Sequence, residues 1–166
     1  MLQMQHVINA TYQKDTMGKY EDSLFYQLNS NAKYFNLLFD NFVKGLNLGL
    51  NAQEHLALVI ISDKKDCCQR DLAKILVKDR ANTGKIASTL ESKELINIEL
   101  KTKNNRPVKI LSLTQNGKEI CKTVDKKVKP LINKINNEIS KEKIEQIKKD
   151  LKEFRQIVEK VAKTNI

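Results

Sequence analysis

Residues 79–96 read DRANTGKIASTLESKELI, and polar side chains crowd the start of this predicted helix. Asp79 is a good N-cap, and the next turns contain five residues that bury little apolar surface: Arg80, Asn82, Thr83, Gly84 and Lys85. Glycine costs about 1 kcal/mol relative to alanine inside a helix. Guanidinium, amide, hydroxyl and ammonium groups near a helix N-terminus are suited to contact phosphates and base edges. The pattern favours a polyanion-binding helix over the alternative, a surface helix with a poorly placed glycine.

A second group with chemical potential is the adjacent pair Cys67 and Cys68. The pair lies near the predicted start of a helix and close to Lys64 and Arg70, and both features lower the pKa of a thiol. This pattern is consistent with a redox sensor. However, adjacent cysteines form a strained disulfide, and the simpler interpretation is two small residues at a helix start. The third cysteine, Cys121, is expected at a core or interface position.

The sequence contains no pattern typical of a catalytic or metal site. The two histidines, His6 and His55, are far apart and lack neighbouring cysteines or carboxylates at ligand spacing. A glycine-rich phosphate loop and a nucleophile elbow are also absent from the sequence. We therefore expect neither an enzyme nor a metal-binding protein, and no cofactor.

The charge of the chain is concentrated in its middle. The 166 residues have a formal net charge of +10, and residues 64–129 contribute +9 of it, with 17 Lys/Arg against eight Asp/Glu. A local basic excess indicates a polyanionic partner, with nucleic acid ahead of an acidic membrane. A solvated Lys-rich surface is an equal alternative on composition alone. The sequence has three cysteines, no secretory signal and no apolar run long enough to span a membrane. These features predict a single cytoplasmic domain, residues 1–166.

Apolar spacing and capping residues predict the elements around the polar helix. Steps of three, four and seven residues predict a helix from Tyr20 to Leu46. Asn51 and Glu54 form a capping box for a second helix, which is apolar nearly all round and is therefore expected to be central. A third helix is expected over residues 69–77, before the helix that Asp79 caps. Apolar and polar residues then alternate with a period of two on both sides of a basic Asn-Asn-Arg-Pro tip. This pattern predicts a β-hairpin.

The last third of the sequence is helical and carries apolar stripes. Thr114 is expected to cap a helix that Pro130 kinks or divides, and a heptad-like stripe runs from Ile144 to Val161. Such a stripe must be buried, either in an intramolecular antiparallel pair of helices or between subunits. The second alternative is favoured because it leaves less apolar surface exposed. Residues 1–20 show no clear period and are expected to form an N-terminal extension.

The order helix, helix, turn, helix and basic hairpin describes a winged helix-turn-helix, in which the second helix of the pair enters the major groove. The segment QRDLAKILVKDRANTGKIASTLESKELI, residues 69–96, resembles the helix-turn-helix of the MarR family of bacterial transcriptional regulators. The most specific match is the LTQNG turn after the hairpin, and the resemblance covers about residues 21–163. The shared features in chain order are Leu72-Ala73, Asp79, Leu90-Glu91, Leu95-Ile96 and residues 113–117.

Two positions depart from the family pattern. Glu94 stands where the family usually has glycine, which implies strain or a different type of turn. At the wing tip, Asn105 and Pro107 occupy the positions of the family's usual Asp and Arg. Arg106 lies between them and is the expected replacement for the family's wing arginine.

The resemblance implies a mostly α-helical fold with a small β-wing. A winged helix-turn-helix over residues 51–113 would be flanked by dimerisation helices over residues 21–46 and 118–163. The implied DNA-binding residues are Arg80, Asn82, Thr83, Gly84, Lys85, Ser88, Lys103 and Arg106. The implied dimerisation residues are Val128, Leu131, Ile144, Ile147, Leu151, Phe154 and Val158. Many members of the family also bind small aromatic anions, which implies an aromatic or anionic effector but assigns no residue to it.

Together, the residues and the resemblance predict a dimeric, sequence-specific regulator of transcription. It is expected to bind a pseudo-palindromic operator in double-stranded DNA and to act as a repressor released by a small ligand. Two alternatives stay open. One is a winged-helix module that binds protein instead of DNA, against which the basic middle segment argues. The other is a regulator that senses oxidants through Cys67 and Cys68.

Overall fold

The computed structural model describes residues 20–103 and 105–164, without the side chains of Lys103, Arg106, Lys163 and Thr164. The predicted N-terminal extension lies outside the described residues apart from Tyr20. The chain divides into two compact units, residues 1–118 and residues 119–166. A 3-10 turn (Tyr20–Asp22) precedes six helices and one two-stranded sheet: α1 (Leu24–Gly45), α2 (Ala52–Asp63), α3 (Gln69–Leu76), α4 (Arg80–Ser92), β1 (Ile96–Lys103), β2 (Arg106–Leu113), α5 (Gln115–Asn137) and α6 (Lys141–Thr164).

Helix α2 begins at the predicted capping box and is the central helix of the first unit. The Asn51 side chain accepts a hydrogen bond from the backbone N–H of Glu54 at 2.9 Å, and the Glu54 carboxylate accepts one from the N–H of Asn51 at 3.0 Å. Six residues of α2 are buried, and the helix contacts α1, α3, α4 and β2, which confirms its predicted central position. His55 is among the buried residues, and its ring lies 5.8 Å from the ring of Phe39 on α1.

An ion pair joins the beginning of α2 to the end of α4. Lys93, the C-cap of α4, donates to the carboxylate oxygens of Glu54 at 2.8 and 3.0 Å and to the carbonyl oxygen of Gly49 at 2.7 Å. Glu54 is buried, so its charge needs hydrogen-bonded partners within the protein. The Lys93 ammonium group and the Asn51 N–H supply them, which fixes the end of α4 against the start of α2.

Helices α3 and α4 form the predicted helix-turn-helix and are joined by residues 77–79. Helix α3 ends one residue earlier than predicted because Val77 adopts the left-handed conformation, with φ of 53°. Asp79 caps α4 as predicted, since its carboxylate accepts a hydrogen bond from the backbone N–H of Asn82 at 2.8 Å. Leu72 on α3 and Leu90 on α4 are fully buried and belong to the core beneath the pair.

The predicted hairpin is antiparallel, with Ile96 opposite Leu113 at its base and Lys103 opposite Arg106 at its tip. A bridge between Cys68 and Ile110 adds the segment before α3 to this sheet. In the same place, the backbone N–H of Leu111 donates to the carbonyl oxygen of Cys67 at 2.8 Å. This bridge, which no sequence pattern predicted, attaches the wing to the start of α3.

The LTQNG turn joins the end of the wing to α5. The Thr114 hydroxyl donates to the carbonyl oxygen of Glu94 at 2.7 Å and accepts a hydrogen bond from the backbone N–H of Gly117 at 3.0 Å. A Cβ atom on residue 117 would collide with the carbonyl oxygen of Leu95, so only glycine permits this close approach. Glu94 has φ of 56°, which is the strained, left-handed turn that its replacement of glycine implied.

Helix α5 runs from Gln115 to Asn137, so Pro130 does not divide it. Pro130 is exposed, and the carbonyl group that loses its helical hydrogen bond belongs to the equally exposed Lys126, where water can solvate it. Helices α5 and α6 do not pack against each other along their lengths, as far as the structure describes them. This finding contradicts the alternative of an intramolecular antiparallel pair.

Candidate nucleic-acid interface

Helix α4 exposes one face and buries the other. The exposed face contains four of the residues predicted to bind DNA: Arg80, Asn82, Lys85 and Ser88. It also contains Ala81, which is four residues before Lys85 and seven before Ser88 and therefore lies on the same side of the helix. The sequence shows this spacing, but Ala81 was not among the predicted site residues. A small apolar side chain on a groove-reading face is suited to contact a thymine methyl group.

The predicted role of Thr83 in contacting bases is wrong. Its side chain is fully buried, and its hydroxyl donates to the carbonyl oxygen of Asp79 at 2.8 Å. Thr83 lies four residues before Ala87 and seven before Leu90, which are also buried, so it belongs to the inward stripe of α4. A hydroxyl in this position orders the first turn of the helix and does not face a groove.

Asp79 holds two nitrogen atoms of Asn82. One carboxylate oxygen accepts a hydrogen bond from the Asn82 backbone N–H at 2.8 Å, and the other accepts one from the side-chain Nδ2 at 2.6 Å. The backbone hydrogen bond, followed by the side-chain one, holds the pKa of Asp79 below its ordinary value. The carboxylate is therefore ionised at neutral pH, and it restrains the exposed Asn82 amide at the N-terminus of α4.

Gly84 allows α3 and α4 to meet closely. Its position is half-buried, and a Cβ atom there would come within 3.0 Å of the Nε2 atom of Gln69. The same Nε2 atom donates to the carbonyl oxygen of Arg80 at 3.3 Å. Gly84 therefore leaves room for the Gln69 side chain, which links the first residue of α3 to the first residue of α4. Gln69 was not among the predicted site residues.

A groove of about 370 Å³ lies between the start of α3, the start of α4 and strand β2. Its cationic members are Arg70, Arg80 and Lys109, and the first and last of these are additions to the predicted site. Pro107 and Val108 supply apolar surface, and among the residues that the structure describes no acidic side chain lines the groove. Three separate parts of the chain meet here because the bridge at Cys68 attaches β2 to the start of α3. The arrangement is suited to hold one phosphate strand beside the exposed face of α4.

The wing tip is only partly described. Asn105 has φ of 58°, as a residue in a tight hairpin turn often does. Lys103 and Arg106 are the last pair of the two strands, but their side chains and all of Asn104 lie outside the described part of the chain. The predicted contacts of Lys103 and Arg106 with DNA therefore stay predictions.

Cys67 does not have the predicted electrostatics. Cys67 is fully buried, and burial raises the pKa of its thiol, with a further increase from the charge of Asp71 and an opposing effect of Lys64. The prediction of a lowered pKa is wrong for Cys67, because the sequence did not show its burial. Cys68 is half-buried beside the groove, and all three cysteines are free thiols. Hydrogen bonding, first from the Cys68 side chain, lowers the pKa of Asp71.

The second unit exposes the apolar residues that were predicted to dimerise. On α5, Leu131 is 45% exposed and Val128 is half-buried. On α6, the exposed positions are Ile147, Leu151 and Val158, whereas Ile144 and Phe154 are half-buried. Such stripes are expected to be covered by another surface. Among the described residues, no helix is long and apolar enough to cross a membrane, and no group of three His, Cys, Asp or Glu side chains could hold a metal ion.

The order of elements and the exposed polar face of α4 define a winged helix-turn-helix protein. Residues 50–108 match the sequence profile of the MarR family, and this match confirms the predicted resemblance. No curated protein matches the chain.

Solved structures of MarR-type regulators share the fold. A MarR/EmrR family transcriptional regulator from Acinetobacter is 21% identical, with a TM-score of 0.72, over 81% of this chain and 93% of that chain. The MepR–DNA complex from S. aureus is 18% identical, with a TM-score of 0.71, over 84% of this chain and 99% of that chain. A mutant MarR from E. coli complexed with operator DNA is 17% identical, with a TM-score of 0.70, over 83% and 99%. At these identities the likeness establishes the fold.

Proposed function

We propose that this protein is a sequence-specific DNA-binding regulator of transcription, which acts as a homodimer on a pseudo-palindromic operator. The observation that carries the proposal is the exposed face of α4, where Arg80, Asn82, Lys85 and Ser88 lie beside the cationic groove. The match of residues 50–108 to the MarR family supports it. The presence of DNA in two of the similar structures supports it as well.

The proposal gives the side chains around α4 separate tasks. Helix α4 enters the major groove with its N-terminal turns, where Asn82 and Ser88 reach base edges. Arg70 and Lys109, on the two sides of the groove, contact the phosphate backbone and set the position of the helix. Lys103 and Arg106 at the wing tip add contacts to the neighbouring minor groove.

A homodimer is supported by the apolar stripes of α5 and α6. Leu151 and Val158 are 48% and 45% exposed, and Leu131 is exposed to a similar degree. An amphipathic helix of this length stays folded only when its apolar face is covered. A second copy of the chain offers the same stripes, so a two-fold interface would cover both sets at once.

As part of the proposal, the protein acts as a repressor that a small ligand releases, and an aromatic row on α1 supports the binding of such a ligand. Phe35, Phe39 and Phe42 have ring centroids 6.3 and 6.4 Å apart in nearly parallel planes. Phe35 is 62% exposed, so a flat aromatic molecule has surface on which to stack. The exposed ring fits a small aromatic molecule, and the resemblance to the MarR family implies that this molecule is an anion. A ligand of this class should raise the thermal unfolding midpoint and weaken operator binding.

The experiment that tests DNA binding is a gel-shift titration at several salt concentrations, with an operator selected from genomic fragments. Affinity should fall steeply with salt because bound Lys and Arg residues release counterions from the phosphates. Arg70→Ala and Lys109→Ala should each reduce the slope of log affinity against log salt by about 1. Lys149→Ala, which removes an exposed charge from α6, is the matched control and should keep the wild-type slope.

A protein-binding winged helix is the second candidate, because two apolar side chains of the first unit are strongly exposed. Val77 in the helix-turn-helix is 72% exposed and Leu100 on β1 is 74% exposed. Absence of binding to any genomic fragment at low salt would refute the DNA proposal and favour this candidate.

A further inference from the structure

The Asn82 amide is exposed but not free to rotate. Its Nδ2 atom lies 2.6 Å from one carboxylate oxygen of Asp79, while the other oxygen accepts the backbone N–H of Asn82 at 2.8 Å. Asp79 therefore does more than cap the helix. A cap needs only the second of these hydrogen bonds.

The chemistry of the two groups fixes which way the amide faces. An ionised carboxylate only accepts hydrogen bonds, so the nitrogen end of the Asn82 amide must point to Asp79. The carbonyl Oδ1 then points away from the carboxylate. Nδ2 carries two hydrogens, and when the one on the Cβ side of the amide donates to Asp79, the other lies beside Oδ1. A neighbouring donor and acceptor in one plane match the N7 and N6–H₂ groups that adenine presents in the major groove.

We infer that Asp79 is a positioning residue for DNA recognition, which orients the Asn82 amide to read an adenine in an A·T base pair. This inference rests on the proposed function, because it requires α4 to lie in the major groove. The carboxylate contacts no DNA in this arrangement. Its negative charge lies on the face that meets phosphates, so Asp79 weakens binding to DNA of any sequence while it sharpens the choice among sequences.

The opposite effects on affinity and on sequence discrimination distinguish an orienting role of Asp79 from a purely structural one. Serine is also a good N-cap, and its single oxygen can accept the Asn82 backbone N–H. It cannot hold Nδ2 at the same time through a second oxygen. Asp79→Ser therefore keeps the cap and releases the amide, whereas Asp79→Ala removes both. A loss of helix order alone would weaken binding to all DNA sequences together.

The test uses the full-length protein and a duplex selected by the wild type from a randomised library. Four proteins are compared: wild type, D79S, N82A and the double variant. For each, we would measure the affinity for the selected duplex, for duplexes with each A·T pair changed in turn, and for random duplex. In wild type, changing one A·T pair should weaken binding about tenfold, which is the scale of one bidentate base contact. D79S should lose most of this discrimination and bind random duplex more tightly at low salt.

The double variant decides whether Asp79 acts through Asn82. If it does, N82A removes the same discrimination, and adding D79S to N82A causes no further loss. Asp79→Thr, a second capping substitution, should behave as D79S does, and thermal unfolding checks that both variants fold. Retained discrimination in folded D79S, equal weakening for all duplexes, or additive losses in the double variant would each overturn the inference. A wild type that binds no duplex would instead refute the proposed function.

Discussion

Neighbouring polar residues in the first turn of α4 have opposite roles because the helix turns them into opposite environments. Asn82 is exposed, whereas Thr83 is fully buried and donates its hydroxyl to the carbonyl oxygen of Asp79. Residue type alone suggested that both side chains read DNA. The spacing of Thr83, Ala87 and Leu90 distinguishes the buried Thr83 from the exposed Asn82, because the three positions share one helical face.

Thr83→Val should lower stability and preserve discrimination among DNA sequences. Valine keeps the shape of threonine but loses one buried hydrogen bond. The carbonyl of Asp79 still accepts the backbone N–H of Thr83, so the expected cost is about 1 kcal/mol. Urea unfolding measures this cost, and operator and random duplex affinities measure discrimination. Thr83→Ser keeps the hydroxyl and serves as the control for the hydrogen bond. Lost discrimination with unchanged stability would place Thr83 on the reading face after all.

Mild peroxide should not release the protein from its operator. The pKa of the Cys67 thiol is raised, chiefly by burial, so the neutral thiol, which is the poor nucleophile, dominates at neutral pH. The Cys67→Ser/Cys68→Ser variant should therefore retain operator binding in a gel shift. Peroxide-dependent release of wild type that this double variant abolishes would show a redox sensor and contradict the prediction.

At the scale of elements, local sequence signals predicted where the helices start. Contacts between distant parts of the chain became visible only in the structure. The capping box at Asn51 and the cap at Asp79 depend on residues three positions apart, which the sequence displays directly. The bridge from Cys68 to Ile110 and the ion pair from Lys93 to Glu54 join distant parts of the chain. No local period specifies such partners, so neither contact was predicted, and nor was the groove beside the Cys68 bridge.

Gly117→Ala should be strongly destabilising, whereas Gly45→Ala should not. A Cβ atom at residue 117 would collide with the backbone carbonyl of Leu95, and a backbone clash of this kind typically costs about 1–3 kcal/mol. Gly45 is the matched control because a Cβ atom there meets nothing within 4 Å. Urea unfolding of both variants gives the two free energies. Equal stabilities would mean that the LTQNG turn does not bring α5 as close to the wing as the structure shows.

At the scale of the whole molecule, charge and apolar surface are separated along the chain. Residues 64–129 carry most of the net positive charge, and they include α4, the hairpin and the groove. The exposed apolar stripes on α6 lie further along, from Ile144 to Val161. In the proposed dimer, this separation would let one region bind DNA while another pairs two chains. Two α4 helices related by a two-fold axis would then meet DNA about one turn, roughly 34 Å, apart.

Leu151→Glu should convert the proposed dimer into monomer or unfold the second unit. Leu151 is 48% exposed in the single chain, and in a dimer its replacement would bury a carboxylate without a partner, at a cost of several kcal/mol. Gln156→Glu is the matched control, because it adds the same charge on the opposite face of α6. Size-exclusion chromatography with light scattering should give twice the chain mass for wild type and for Gln156→Glu. A wild type with the mass of one chain at micromolar concentration would refute the dimer, and with it the expectation of a pseudo-palindromic operator.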